Sequence, residues 1–342
     1  MVTQEHWMIT LQRVYYPVLA TIGIPSNIIT FLIFWRRNCM LSRSSTFYLM
    51  AMSVADTGVL VCIVVLELVV KFHSAEPFWA RQPWCSLRDL FTYGSYNAST
   101  WLVVTFTAER FLAINTWSLK SRLCTPRCAL WAISSIYVLS HLLAVPHLWA
   151  NVSEYDRQLG RWTCVYNAQA PILFIHSLVG FQTLLSYILP FPIIITLNGL
   201  TLHHISVCNR IWPAQEPPVS PATAAKPGLR VAPILRSRRR KSVVLLVTVS
   251  MTFLMLSVVR AVTQIILRTS SPELKRQDYG LPLNVAADLG TMLCLSNAAV
   301  NMYLYAATQT KFRQEVIACA KQGLAVMKSS LTPSTIVTAR PQ

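Results

Sequence analysis

Apolar positions along the chain gather into seven runs long enough to cross about 30 Å of hydrocarbon. They are Tyr15–Trp35, Phe47–Phe72, Cys85–Ile114, Cys128–Trp149, Ala170–Leu202, Val243–Leu267 and Leu283–Ala306. A lone span in lipid satisfies its backbone hydrogen bonds within itself, so each run is predicted to be a helix. The third run is the most polar, with Thr92, Ser95, Asn97, Ser99, Thr100, Thr105 and Thr107, and belongs in the middle of a bundle. Beyond the seventh, Lys311–Cys319 predicts an amphipathic helix lying on the membrane with Phe312, Val316 and Ile317 inward. The predicted fold is all-α: a seven-transmembrane helix bundle with a short amphipathic eighth helix. Residues 1–14 precede it, 15–306 form the bundle, 307–320 the eighth helix and 321–342 a tail. The third connecting loop on the basic side, about 205–241, is rich in Pro and Ala and reads as a linker.

Composition agrees with a membrane chain. Of 342 residues, 54% are hydrophobic and 13% charged, against about a quarter charged in soluble domains. This excludes disorder and small disulfide-rich secreted modules. The net charge of +17 first suggests nucleic acid, but its distribution does not. With the N-terminus outside, the inner segments hold 19 Lys and Arg against the two acids Glu216 and Glu315. The other side is close to balanced. That asymmetry is the positive-inside pattern, so the chain is expected in the plasma membrane with its N-terminus outside and C-terminus in the cytoplasm. Nucleic acid is not needed to explain the charge. Residues 1–14 carry no basic stretch followed by an apolar core, and the first span is expected to act as an uncleaved anchor.

Topology also sorts the nine cysteines. Cys62 and Cys294 fall inside spans. Cys39, Cys124, Cys128, Cys208 and Cys319 fall at or beyond the inner boundary, where thiols stay reduced. Cys85 and Cys164 alone face the oxidising side, either bridged or both free, and bridging is expected there. Asn151, in the sequon ending at Ser153, is a glycosylation acceptor by motif. Cys124 and Cys128 lack the spacing and company of a zinc site.

Several motifs recur in order on these spans. Span one has Gly23 and Asn27, span two the stretch Leu49 to Asp56, and span three Cys85 followed by Glu109-Arg110-Phe111. Span five has Pro190, span six Phe253, and span seven Asn297, Asn301 and Tyr305, with Lys311, Phe312 and Arg313 following. From about Tyr15 to Cys319 the chain resembles the rhodopsin-like (class A) G-protein-coupled receptors. Within them it is most similar to the orphan receptors that respond to aromatic amino acids and are related to FMRFamide-type neuropeptide receptors. Tyr15, Tyr16, Pro25, Tyr187, Asn198, Arg260, Asp288 and Met292 carry that narrower likeness.

The resemblance implies a receptor that binds an extracellular small molecule or peptide and activates heterotrimeric G proteins, with arrestin as a further partner. It implies no catalysis and no cofactor apart from an allosteric sodium ion held by Asp56, Ser99, Asn297 and Asn301. An intramembrane carboxylate costs about 2.5–3.5 kcal/mol to insert and is a functional candidate on that ground alone. Glu109, Arg110, Phe111, Asn301 and Tyr305 match the family's G-protein switch, with Glu109 restraining the Arg110 guanidinium at rest. In the outer half, Glu67, Asp89 and Arg260 could hold a zwitterion, its amine on an acid and its carboxylate on Arg260. Tyr93 and Tyr96, with Phe91 and Trp101, would suit an apolar side chain. The bland alternative is an internal Glu67–Arg260 or Asp89–Arg88 pair. Cys319 is a candidate palmitoylation site, and Ser329, Ser330, Thr332, Ser334 and Thr335 are candidate phosphorylation sites.

Some positions depart from the family pattern. Leu256 to Val259 replace the Cys-Trp-x-Pro element of span six, Met302 replaces the span-seven proline, Asn198 stands for a tyrosine, and Arg239 stands for the acid that usually pairs with Arg110. A silent or constitutively active receptor-like protein is therefore one alternative. A transporter or channel is the other, but no internal repeat supports it. A retinal protein would need a span-seven lysine, and 283–309 has none.

Overall fold

The computed structural model describes residues 6–36, 39–69, 76–116, 121–157, 160–211, 231–269 and 278–331. The side chains of 208–211, 231–241, 268–269 and 323–331 lie outside that description. Seven long helices form the bundle: α1 (Trp7–Arg36), α2 (Arg43–Val59, continued by a π-helical stretch Leu60–Val69), α3 (Trp84–Asn115), α4 (Pro126–Ala144, closing in a 3-10 turn Val145–Trp149), α5 (Ile172–Thr183, Leu184–Ile188 and Pro190–Ile211 in one rod), α6 (Val231–Thr269) and α7 (Pro282–Thr308). An eighth, α8 (Thr310–Leu331), follows. Among the described residues six helices are long and apolar enough to cross a membrane. The polar α3 is not among them. It packs against α2, α4, α5 and α6, so its hydroxyls and amides meet protein and not lipid.

Local sequence explains where several helices start. Ser42 caps α2, its Oγ accepting from the Ser45 N–H at 3.2 Å. Thr125 caps α4 by accepting from the Cys128 N–H at 3.2 Å, and Pro126 fills the first turn, where no donor is needed. The π-helical stretches in α2 and α5 flank the cavity described below and break the regular helical face.

The predicted spans are recovered, and the differences lie at their ends. α1 begins at Trp7, not near Tyr15, because Met8 and Gln12 are buried and Gln12 Nε2 donates to Asp288 Oδ2 of α7 at 2.8 Å. Most of 1–14 is thus helix. The loop placed at 205–241 shortens from both sides, since α5 runs to Ile211 and α6 starts at Val231. α8 reaches Leu331, past the predicted limit of 320, as Gly323 does not stop it. Phe312 is fully buried against Phe34 and Tyr305, with ring centroids 5.0 and 5.8 Å apart. Ile317 is 49% exposed at the helix surface. Among the described residues of α8, Val316 and Cys319 join Phe312 at the core.

A two-stranded antiparallel hairpin was not foreseen. β1 (Asn151–Asp156) pairs with β2 (Arg161–Tyr166), placing Ser153 opposite Cys164, and Gly160 in the turn takes φ +62°. The disulfide Cys85–Cys164 ties this hairpin to the first turn of α3, with Cα atoms 5.6 Å apart. Bridging, the expected one of the two readings, is what the fold contains.

α6 and α7 pass main chain to main chain. A Cβ added at Gly290 would lie 2.8 Å from the Arg260 nitrogen and 3.0 Å from its Cα. Backbone cannot yield as a flexible side chain would. Gly290→Ala is therefore expected to lower the melting temperature of the detergent-solubilised protein, at an overpacking cost of about 1–3 kcal/mol. An unchanged melt would mean that the helices part without penalty.

Candidate functional site

In the half of the bundle nearer the disulfide, α2, α3, α5, α6 and α7 enclose a cavity of about 190 Å³. Helical periodicity aims Thr92, Tyr93 and Tyr96 of α3 to one side. All three line it, as do Glu67, Gln182, Ser186, Tyr187, Arg260, Gln264, Thr291 and Cys294. Its size is below the roughly 300–1,000 Å³ of drug-sized pockets and above the roughly 150 Å³ of a cavity that holds benzene. One ring with a few polar atoms fits; a folded peptide does not.

Arg260 is the pivot of the cavity's polar network. Its Nε donates to the Tyr187 hydroxyl at 2.9 Å and its Nη1 donates to Thr291 Oγ1. Tyr96 donates to Tyr187 at 2.9 Å and contacts the Cys294 thiol at 3.0 Å. A guanidinium has five N–H donors in a planar fork. Among the described residues its hydrogen bonds go to two neutral hydroxyls, an arrangement that leaves its charge available to an anion entering the cavity. Below it Asn97, Gln182 and Ser186 bond one another across α3 and α5, with Gln182 Nε2 donating to Asn97 Oδ1 at 2.8 Å and to Ser186 Oγ at 2.9 Å.

Of the five predicted ligand-site residues, Glu67, Tyr93, Tyr96 and Arg260 meet at this cavity. Asp89 does not. Its Oδ1 accepts from Arg88 Nη2 at 2.8 Å and from Arg88 Nε at 2.9 Å, while Oδ2 accepts from the Asn151 amide. Arg88 in turn stacks over Trp79, 4.9 Å from the ring centre. The internal Asp89–Arg88 pair is thus the arrangement adopted, and it anchors the hairpin to α3. Phe91 and Trp101 also lie off the cavity: Phe91 is exposed beside His141, and Trp101 packs on the main core. The same contact corrects the glycosylation assignment. Asn151 is 5% exposed, and the amide nitrogen that would carry a glycan is spent on Asp89.

Two polar clusters lie deeper. Asp56 of α2 accepts from Ser99 Oγ at 2.6 Å and from Asn301 Nδ2 at 2.7 Å, joining α2, α3 and α7. Asn297 is buried one turn away. A carboxylate, a hydroxyl and two carboxamides form an oxygen-rich set that suits a hard cation, provided the Asn301 amide turns its oxygen inward. At the far end, Arg110 makes a two-point ion pair with Glu109, and both are buried. Ser44 of α2 completes the cluster by donating to Glu109 Oε1 at 2.7 Å, with Arg110 Nη2 3.4 Å from its hydroxyl. Cys124 contacts the Glu109 carbonyl at 3.5 Å. Phe111 is half-buried beside the pair. The Arg239 side chain lies outside the described residues, as do Thr332, Ser334 and Thr335 and the side chains of Ser329 and Ser330. Tyr305 is fully buried between Phe34 and Phe312, its hydroxyl without a partner among the described residues. Nearby, burial pushes the Cys39 thiol up to about 11, with Glu315 adding to the shift, so it stays a neutral thiol near pH 7.

Sequence reasoning missed Ser44, Thr92, Gln182, Tyr187 as a partner of Arg260, Thr291 and Cys294. Thr92 was readable in principle, one helical turn before Tyr96. Ser44 carried no signal, since its partner lies 65 residues away. Among the described residues no group of three or more His, Cys, Asp or Glu could hold a metal.

Residues 26–305 match the family described as 7 transmembrane receptor (rhodopsin family). The galanin-like G-protein coupled receptor npr-9 of Caenorhabditis elegans is 22% identical over 324 residues, covering 90% of this chain and 72% of that protein. The allatostatin-A receptor of Bombyx mori is 24% identical over 312 residues, covering 88% of this chain and 76% of its own.

Removing the Asn151 amide leaves Asp89 with an unmet acceptor in a buried site, at a cost of about 1–3 kcal/mol. Asn151→Ala is expected to lower the melting temperature, and glycosidase treatment of the wild-type protein is expected to leave its gel mobility unchanged. A glycosidase-sensitive band would restore the sequon reading.

Proposed function

Since the chain belongs to the rhodopsin family of seven-transmembrane receptors, we propose that its cavity takes a small aromatic zwitterion, an aromatic amino acid, and that binding drives heterotrimeric G-protein activation. The observation that carries this reading is the Arg260 guanidinium, held by neutral hydroxyls at the wall of a cavity sized for one ring. The ligand carboxylate pairs with Arg260, its amine meets Glu67, and its ring lies against Tyr93 and Tyr96. The disulfide end faces outside, supported by the 19-to-two excess of basic over acidic residues at the other end. A neuropeptide inserting one terminal residue is the second reading, favoured by the names of the two relatives.

Glu109 holds Arg110 in the resting state, with Ser44 bracing the pair, and release of Arg110 opens the inner face to the G protein. Phe111, Asn301 and Tyr305 belong to the same switch. A sodium ion at Asp56, Ser99, Asn297 and Asn301 would supply a positive charge that holds α2, α3 and α7 together at rest. Cys319, partly packed at the core edge of α8, takes a palmitoyl chain once it turns to lipid, and the tail recruits arrestin.

A panel of aromatic amino acids and amidated peptides on expressing cells, read by calcium and cyclic AMP, tests the ligand. Normal surface display with no response to either class would favour a silent or constitutively active receptor. Arg260→Ala is expected to abolish the response to a carboxylate ligand while sparing surface expression, and an unchanged dose response removes Arg260 from the site. Glu109→Gln breaks a buried ion pair whose loss of one partner costs about 3–5 kcal/mol. Basal signalling is expected to rise several-fold in that variant, measured without ligand at matched surface density.

A further inference from the structure

Thr92 is 8% exposed, lines the cavity, and its Oγ1 has no hydrogen-bond partner among the described residues. That sets it apart. Thr105, Thr107, Thr183, Thr201 and Thr263 each turn the hydroxyl back onto the carbonyl four residues earlier, at 2.7 to 2.9 Å. This local bond is the usual way a helical threonine is satisfied away from water. A buried hydroxyl left without it is costly unless something else meets it. Since Thr92 lines a cavity, the missing partner has a place to sit.

The position of Thr92 restricts that partner. It stands one turn, roughly 6 Å, from Tyr96 on the same helix face, and Tyr96 bonds the tyrosine that holds Arg260. A ligand anchored by its acid at Arg260 and filling the cavity has its other atoms among the remaining lining residues, Thr92 included. We infer that Thr92 reads a hydrogen-bonding group on the ligand's ring, so that the site selects a hydroxylated aromatic amino acid over its plain counterpart. A polar group built to bond a ligand hydroxyl discriminates strongly, because the analogue lacking it leaves that group unpaired. This inference rests on the aromatic-amino-acid reading above and adds the side-chain chemistry to it.

The test uses L-tyrosine and L-phenylalanine as probes on the full-length receptor, with calcium and cyclic AMP in cells and thermal shift of purified protein. The wild type is expected to respond to tyrosine at a concentration about tenfold or more below that for phenylalanine. Thr92→Val, equal in shape but without the hydroxyl, is expected to bring the two within about twofold, while Thr92→Ser keeps the wild-type ratio. The ligand-free Thr92→Val protein is expected to melt no lower than wild type, since an unmet buried hydroxyl has been removed. A wild type that treats both probes alike, a Thr92→Val variant that keeps the preference, or a Thr92→Ser variant that loses it overturns the role of Thr92 and leaves Arg260 untouched. A wild type that neither responds to nor is shifted by either probe removes the ligand reading itself and this inference with it.

Discussion

Hydrocarbon offers no partner to a polar group, and that constraint organises the whole molecule. Backbone groups are met by coiling into helices. Polar side chains have to be met by one another, so the contacts between helices are where hydroxyls, amides and charges collect. Asn27 donates to the Ala298 carbonyl at 2.6 Å and Tyr137 to the Ala51 carbonyl at 2.7 Å, each joining one helix to another through its main chain. α3, too polar to face lipid, becomes the axis because four other helices can satisfy it.

Ionisable groups are distributed in levels along that axis, and each level is held differently. Asp89 at the disulfide end is locked into the hairpin by Arg88 and Asn151. Arg260 at mid-cavity is held by neutral hydroxyls. Asp56 is bonded by Ser99 and Asn301, and Glu109 by Arg110 and Ser44. A carboxylate fully occupied by its own chain serves the fold. A cation held by hydroxyl dipoles, as Arg260 is among the described residues, retains the capacity to attract a charge from outside.

The absent prolines leave two helices unbroken where the family pattern has a helix breaker. α6 and α7 run as uninterrupted helices through Val259 and Met302, the positions where a proline would bend them. With α6 and α7 touching backbone to backbone at Gly290 and Arg260, displacement of one at that level carries the other. Deeper, Asn198 Nδ2 of α5 donates to Ser250 Oγ of α6 at 2.7 Å, tying the third neighbour into the same group. That connectivity packs the three helices as one group.

Hydropathy, charge and motif order are properties of short stretches, so the sequence by itself determined the seven helices, their order, the disulfide pair and the family. It also marked Arg260, Asp56 and Glu109-Arg110, since charge in an apolar run is conspicuous wherever it later points. What only the tertiary structure decided is which neighbours those groups meet. Glu67 and Asp89 look alike as acids near a span end, yet one lines the cavity and the other is consumed by Arg88 and Asn151. Asn151 reads as a surface sequon until the hairpin folds it inward. Ser44 and Thr92 are unremarkable letters until α2 lies beside α3 and a cavity opens in front of α3. The direction of a side chain around its helix acquires meaning only when the other helices are in place, and no local pattern encodes that placement.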